Sequence, residues 1–454
     1  MSGPEFLQLD VSAARSGRAP ATWGQQAVWD AVLVLGEDAP WYSVKAGFEL
    51  PSPRPRAAVL EALTHAVRLH EGLRTRLEPQ DTGALTQILD ASGRIPVTVR
   101  TSAREDTAAA GGELLTELGA RPFDCAVEWP LRIGLVEADG LVRHYVMVVA
   151  HTAVDGGALR RLARDVVMML DGVSPQRIRE LFPATQPLDE AAYQQSERGR
   201  KRDAASRRYW IGKLGKGPRE LFPPRAERAP GPVSPYAMLH SPALLPAVDH
   251  VAAARGVSSA SVLLAAVAQQ TARLSRTAEP LLQVVVSNRF LPGMAQSIST
   301  VAQEGLFQLQ TGWEDFGSLV KWVHTGALGM YRHASYDKRL LDRDIEDLRG
   351  RLPDVADHSC FFNDTREPEL YRPPAGDASS LPLARSRELS TLAWPGESSP
   401  RKNVTFAVNV NDEPGAVKLS ITADTALLPP ADMESFLLGM EEAVIEDALA
   451  TGCA

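Results

Sequence analysis

The run Tyr145–Ala150, unbroken in apolar residues, constrains the fold more than any other stretch of this chain. Such a run fits a strand covered on both faces, as found inside a layered α/β domain. From Gly157 onward the apolar residues fall at Leu159, Leu162, Val166, Met169 and Leu170, the stripe of an amphipathic helix. Between strand and helix lies His151-Thr-Ala-Val-Asp155-Gly156-Gly157, a polar turn. A histidine there is presented at the rim of a core, and imidazole suits proton transfer near neutrality. Asp155 can bond within the turn or pair with a cation. Gly156 and Gly157 tolerate backbone angles that other residues resist, and leave N–H groups open to a developing negative charge. The same residues also suit a turn in which His151 and Asp155 only satisfy backbone groups.

Around this turn the chain reads as two halves. Residues 1–20 are polar and are expected to lie loosely on the surface. Trp41–Leu50 alternates like a strand that ends at Pro51-Ser-Pro-Arg-Pro. Arg56–Gly72 reads as a helix stopped by Gly72, with Val59, Leu63, Val67 and His70 on one face. His70 is expected to be packed and bonded to backbone. Thr107–Gly119 is a further helix, and Leu131–Val136 pairs with Val142–Ala150 through a turn at Ala138–Gly140. Asp171–Pro235 is punctuated by prolines and carries a basic helix, Ser196–Lys216. It is expected to connect the halves. Its basic residues suit an acidic partner or simply a solvated face.

The second half repeats the layered pattern. Ser258 or Ser259 caps a helix running to about Leu274, and Leu281–Ser287 is a buried strand with Arg289 at its exit. Glu314–Ala334 is helical, with Leu319, Val323, Leu328 and Met330 turned inward. Ser359–Asp364 is another strand end, and residues 365–400 form a long loop. A hairpin around Asn411–Gly415 and a closing helix at Ala431–Ala448 complete the chain. The expected division is residues 1–175, a connecting segment 176–235, and residues 236–454.

Composition narrows the function classes. With 44% hydrophobic and 23% charged residues the chain is ordinary for a globular protein, and 454 residues suit two domains. A net charge of −8 disfavours nucleic acid as a partner. Three scattered cysteines suggest neither a disulfide framework nor a zinc site. No apolar run approaches a membrane span, and Met1–Asp10 lacks the features of a secretory signal, so a cytosolic monomer away from membranes is expected.

Ala150–Gly157, AHTAVDGG, resembles the HHxxxDG motif of nonribosomal peptide synthetase condensation domains and their acyltransferase relatives. WGQQAVWD (Trp23–Asp30) is similar to the family's SxAQxxLW, HEGLRTRL (His70–Leu77) to its HExLRTxF, and VVVSNR (Val284–Arg289) to its VVSGR. RPFD (Arg121–Asp124), Tyr209-Trp210 and DTALL (Asp424–Leu428) also stand in family order, so the likeness covers nearly the whole chain. One departure is Ala150, which replaces the first histidine of the doublet.

The resemblance implies an α/β fold of two chloramphenicol-acetyltransferase-like lobes forming a pseudo-dimer, with a tunnel between them. It implies a freestanding enzyme that joins a carrier-bound acyl or aminoacyl thioester to an amine or hydroxyl in nonribosomal peptide or related biosynthesis. Acyl and peptidyl carrier proteins would be recruited in trans, with the donor on phosphopantetheine and no metal or cofactor bound. His151 would orient or deprotonate the nucleophile, and backbone around Gly156 would steady the oxyanion. By the same resemblance, Asp155 pairs with Arg289, in bidentate fashion and across the halves, with an architectural role. His333 matches a family histidine and is read as structural. No GxSxG elbow and no cysteine beside a base is present, so direct attack is expected rather than an acyl-enzyme. A coenzyme-A-dependent acyltransferase, an epimerase and an inactive recruiting scaffold are the other readings, the last motivated by Ala150.

Overall fold

The computed structural model describes residues 3–36, 42–224, 231–310, 315–352, 354–367, 381–398, 401 and 403–453. They divide into two units. The first comprises Met1–Lys201, Ser287–Gln303 and Asp337–Arg339, and the second Arg202–Val286, Glu304–Tyr336 and Leu340–Ala454.

The first unit opens with β1 (Glu5–Ser12), β2 (Gly17–Pro20), α1 (Trp23–Leu35) and β3 (Val44–Arg54). It continues through α2 (Arg56–Leu69), β4 (Thr75–Pro79), β5 (Leu85–Leu89), β6 (Ser92–Thr101) and α3 (Thr107–Gly119). β7 (Leu131–Ala138), β8 (Leu141–Val149) and α4 (Gly156–Leu170) follow, then α5 (Pro175–Leu181), α6 (Pro187–Gln195) and α7 (Glu197–Leu214).

The main sheet runs β1-β6-β7-β8-β3, and a smaller one runs β2-β5-β4. β8 lies inside the main sheet, which explains its apolar run. Successive residues of a strand face opposite sides. Tyr145, Met147 and Val149 pack with Val59 and Leu63 of α2 and Leu159, Leu162 and Val166 of α4. Val146 packs the other way, against Leu114 of α3. Each such fully buried side chain contributes about 1.5–3 kcal/mol.

The second unit holds β9 (Pro235–Ser241), α8 (Leu244–Arg255), α9 (Ser259–Ser275) and β10 (Leu281–Val286). Then come β11 (Gln303–Gln308), α10 (Phe316–Arg332), α11 (Lys338–Arg351), β12 (Cys360–Asp364) and α12 (Leu383–Arg387). β13 (Thr391–Glu397), β14 (Phe406–Glu413), β15 (Ala416–Ala423) and α13 (Pro430–Ala450) end it. Its seven strands among the described residues form one sheet, ordered β11-β10-β12-β14-β15-β9-β13, and α8, α9 and α13 pack in its core. No single helix among the described residues is long and apolar enough to cross a membrane.

Several local expectations need correction. Residues 5–12 are not loose: Leu9 and Val11 alternate inward, and β1 pairs antiparallel with β6. β3 runs past Pro51 and Pro53 to Arg54 with a register shift, because at the sheet edge a missing N–H costs no ladder bond. Leu328 is 49% exposed rather than inward. Within residues 365–400, segment 368–380 lies outside the described residues, but α12 and β13 are regular, and β13 extends the sheet beside β9. The expected connector 176–235 is no free linker where it is described. α5 and α6 belong to the first unit, and the unit boundary at Lys201 falls inside α7.

Candidate active site

β8 delivers His151. Its last residue is Val149, and Ala150–Ala153 then closes a turn in which the Ala153 N–H donates to the Ala150 carbonyl (2.9 Å). The Ala150 N–H donates to the Pro130 carbonyl (3.0 Å), so the turn is tied to the neighbouring strand entrance. Ala150 is buried with Leu77, Leu85 and Cys125, whereas His151 is only half-buried. The His151 ring stacks on Tyr42, with centroids 5.0 Å apart and planes at 27°. Its Nδ1 is buried without a hydrogen-bond partner. Any proton exchange at this ring would fall to Nε2.

Asp155 turns away from this role. As N-cap of α4 it accepts from the Ala158 N–H at Oδ1 (2.8 Å), and its Oδ2 accepts from the Val301 N–H (3.2 Å). Arg289 Nη2 also donates to Oδ1, and both side chains are buried. The pairing is not bidentate. Arg289 Nη1 is taken by the Ser297 carbonyl (2.7 Å) and the free carboxylate oxygen by Val301. Nor does the pair cross the two units, since Arg289 lies in the segment Ser287–Gln303 that packs within the first. Asn288, at φ 55°, turns the chain there, and its side-chain amide donates to the Val301 carbonyl (3.0 Å).

Two motif glycines explain how that segment reaches the turn. A Cβ on Gly24 would stand 2.1 Å from the Thr300 carbonyl oxygen. One on Gly72 would stand 2.9 Å from the Ile298 carbonyl oxygen and 3.3 Å from that of Ala153. Gly72 is therefore a close-approach residue rather than a helix stop; α2 already ends at Leu69. Gly156 needs no glycine-only angle. It has no positive φ, and a Cβ there would meet open space. As the first residue of α4 it contributes an N–H at the positive end of the helix, as Gly157 does.

A buried carboxyl that the sequence did not single out lies behind the pair. Glu190 accepts from the Gln194 side-chain amide at Oε1 (2.9 Å), while Oε2 is buried without a partner. Burial pushes this carboxyl up to about 8. The charge of Asp155 adds to the rise, while Arg289 and the Gln194 bond oppose it. Gln194 in turn accepts from the Trp23 N–H (2.9 Å) beside the Thr22–Gln25 capping box of α1. No periodicity marks Glu190, because one acidic residue on a short polar helix looks like a solvated one.

Two other histidines, His70 and His333, are held by bonds within the fold. His70 is buried but pairs with a side chain, Asp165 (2.9 Å), rather than with backbone as expected. Arg164 holds that carboxylate from its other oxygen (2.7 Å). His333 donates from Nδ1 to the Gly329 carbonyl (2.7 Å) and stacks on Tyr209. Among the described residues no cluster of His, Cys, Asp and Glu is arranged to hold a metal. The Cys125 and Cys360 thiols are both pushed up by burial, which keeps them protonated.

The condensation-domain family model matches residues 16–449. The chain is 33% identical over 147 residues, 32% of its length, to a protein of Salinispora arenicola named as the probable non-canonical nonribosomal peptide synthetase CymA. It is 25% identical over 326 residues, 70% of its length, to the nonribosomal peptide synthetase kk1B of Curvularia clavata. The matched stretch spans only 2% of each of those synthetases. The fold is similar to the condensation domain of the monacolin K polyketide synthase MokA, with a TM-score of 0.71, 14% identity, and coverage of 95% of this chain and 98% of that one. It is also similar to the structure described as the molecular basis for condensation-domain-mediated chain release from the enacyloxin polyketide synthase. There the TM-score is 0.72 at 19% identity, covering 97% and 84% of the two chains.

Proposed function

We propose that this chain, which belongs to the condensation-domain family, joins a carrier-bound acyl or aminoacyl thioester to an amine or hydroxyl acceptor, with carrier proteins supplied in trans. The observation that carries the reading is the half-buried His151 imidazole at the exit of β8, ahead of the backbone N–H groups of Gly156 and Gly157 that begin α4. The acceptor nitrogen or oxygen attacks the thioester carbonyl carbon while His151 Nε2 receives the proton that the nucleophile loses. The tetrahedral oxyanion is steadied by backbone N–H groups at Gly156 and Gly157. Collapse breaks the carbon–sulfur bond, and the departing thiolate takes the proton from the imidazolium. Amide or ester and the free phosphopantetheine thiol are the products. Juxtaposing both substrates supplies up to about 7–11 kcal/mol of the barrier reduction.

The names of the relatives support amide formation in peptide synthesis, and the chain release named for the enacyloxin domain supports transfer of a bound chain to an acceptor. Direct transfer is favoured because Cys125 and Cys360, the buried thiols, have no activating base. The test combines a phosphopantetheinyl carrier protein, loaded with a panel of acyl groups, with amine and alcohol acceptors, followed by intact mass. Unloading of the carrier that depends on acceptor, with the enzyme mass unchanged, is the expected result. Turnover with soluble acyl-coenzyme A alone would move the assignment to a coenzyme-A-dependent acyltransferase. Ala150 favours a second reading, a recruiting scaffold without catalysis, which the absence of any turnover would support.

A further inference from the structure

A histidine that moves protons needs a fixed ring plane, and elsewhere that plane is set by a hydrogen bond at the second ring nitrogen. Here that device is missing. His151 Nδ1 is buried and unbonded, and Asp155, four residues on, is held by Arg289, Ala158 and Val301. What does lie against the ring is Tyr42, at 5.0 Å between centroids and 27° between planes.

The paired ends of β3 and β8 bring the two rings near each other. β3 and β8 are antiparallel, with Val44 opposite Val149, Lys45 opposite Val148 and Ala46 opposite Met147. Tyr42 stands two residues before the start of β3 and His151 two residues after the end of β8, in the turn that follows that strand. The strand that leads into the histidine and the strand that follows the tyrosine are thus hydrogen-bonded neighbours, and their ladder ends at Val44 and Val149, just short of both rings.

We infer that Tyr42 is the positioning residue for His151, its ring acting as the platform that fixes the imidazole plane in place of a hydrogen bond at Nδ1. The inference rests on the reading of His151 under the proposed function. Because the platform is a ring face, phenylalanine can replace it and an aliphatic residue cannot. Loss of the platform frees ring rotation without removing a group that binds substrate, so it lowers kcat rather than raising KM.

The experiment compares wild type, Tyr42→Phe, Tyr42→Leu and His151→Ala, using acyl groups loaded on a phosphopantetheinyl carrier protein and an amine acceptor. Spectra of the histidine-labelled proteins supply a readout independent of turnover, with His151→Ala identifying the His151 ring signals. In wild type and Tyr42→Phe those signals should be shifted upfield by the facing ring, and in Tyr42→Leu the shift should vanish. Tyr42→Leu should lose about 10- to 100-fold in kcat, the scale of a misplaced catalytic group, with KM changed less than about twofold. Tyr42→Phe should stay within about threefold of wild type. Full kcat in Tyr42→Leu, while His151→Ala is inactive, would overturn the platform and leave the role of His151 standing. Full activity in His151→Ala, or no turnover by wild type across the panel, would overturn both.

Discussion

Arg289 reaches Asp155 across 134 residues of sequence, and both side chains are buried. Asp155 carries three donors at once: the Arg289 guanidinium, the Ala158 N–H that begins α4, and the Val301 N–H. It therefore ties the start of α4 and the segment Ser287–Gln303 to the turn that holds His151. Removing it leaves a buried guanidinium without its counter-charge, which costs roughly 3–5 kcal/mol.

Asp155→Ala should accordingly lower the urea midpoint and abolish activity together. Asp155→Asn, which keeps an N-cap acceptor but not the charge, should fall between. Chemical denaturation of the two variants beside wild type checks the order. Equal stability of Asp155→Ala and wild type would remove the anchor.

Glu190 makes stability depend on pH. Its carboxyl is raised by burial from 4.5 to about 8 in the folded chain, so the folded state holds a proton that the unfolded state releases. The contribution is complete below the unfolded value, near 4.5, and is lost as pH rises through about 8. Between those limits it amounts to a few kcal/mol, on the order of 1.4 kcal/mol for each tenfold difference in proton affinity between the two states. Glu190→Gln retains an acceptor for Gln194 without the charge. Its melting temperature should match wild type near pH 5 and exceed it near pH 8.5. Parallel pH profiles for the two proteins would show that Glu190 is not protonated in the fold.

Ala150→His would place an imidazole in the apolar cluster of Leu77, Leu85 and Cys125. Restoring the family doublet should therefore lower the melting temperature by several degrees, equivalent to about 1–3 kcal/mol for overpacking a filled site. Activity should not rise. A stable variant with a large gain in rate would show that the alanine weakens the enzyme instead of filling its core.

The parts of this architecture that repeat along the sequence were legible in it. β8 and α4 announce themselves by a run and a stripe, and the polar turn between them marks His151 without any fold in hand. The Asp155–Arg289 relation followed only from family resemblance, and its details did not survive: geometry depends on Val301 and Ser297 carrying the remaining bonds, which no local pattern encodes. Gly72 looked like a helix stop because a glycine after an apolar stripe usually is one, but its function is to let the Ile298 and Ala153 carbonyls approach. Tyr42 and Glu190 were silent for the same reason. Their partners are set by the meeting of two strand ends and by a buried helix face, both products of tertiary packing.

Whether His151 moves the proton is decided by the rate of product formation in a single turnover by His151→Ala. Donor is an acyl-loaded carrier protein and acceptor an amine, both in excess over competing hydrolysis, with thermal melts run on the same samples. The expected result is a loss of about two to four powers of ten in rate, with a melting temperature within a degree or two of wild type, because the half-buried ring leaves no uncompensated charge behind. An unchanged rate in a folded His151→Ala protein would exclude the imidazole from the chemistry.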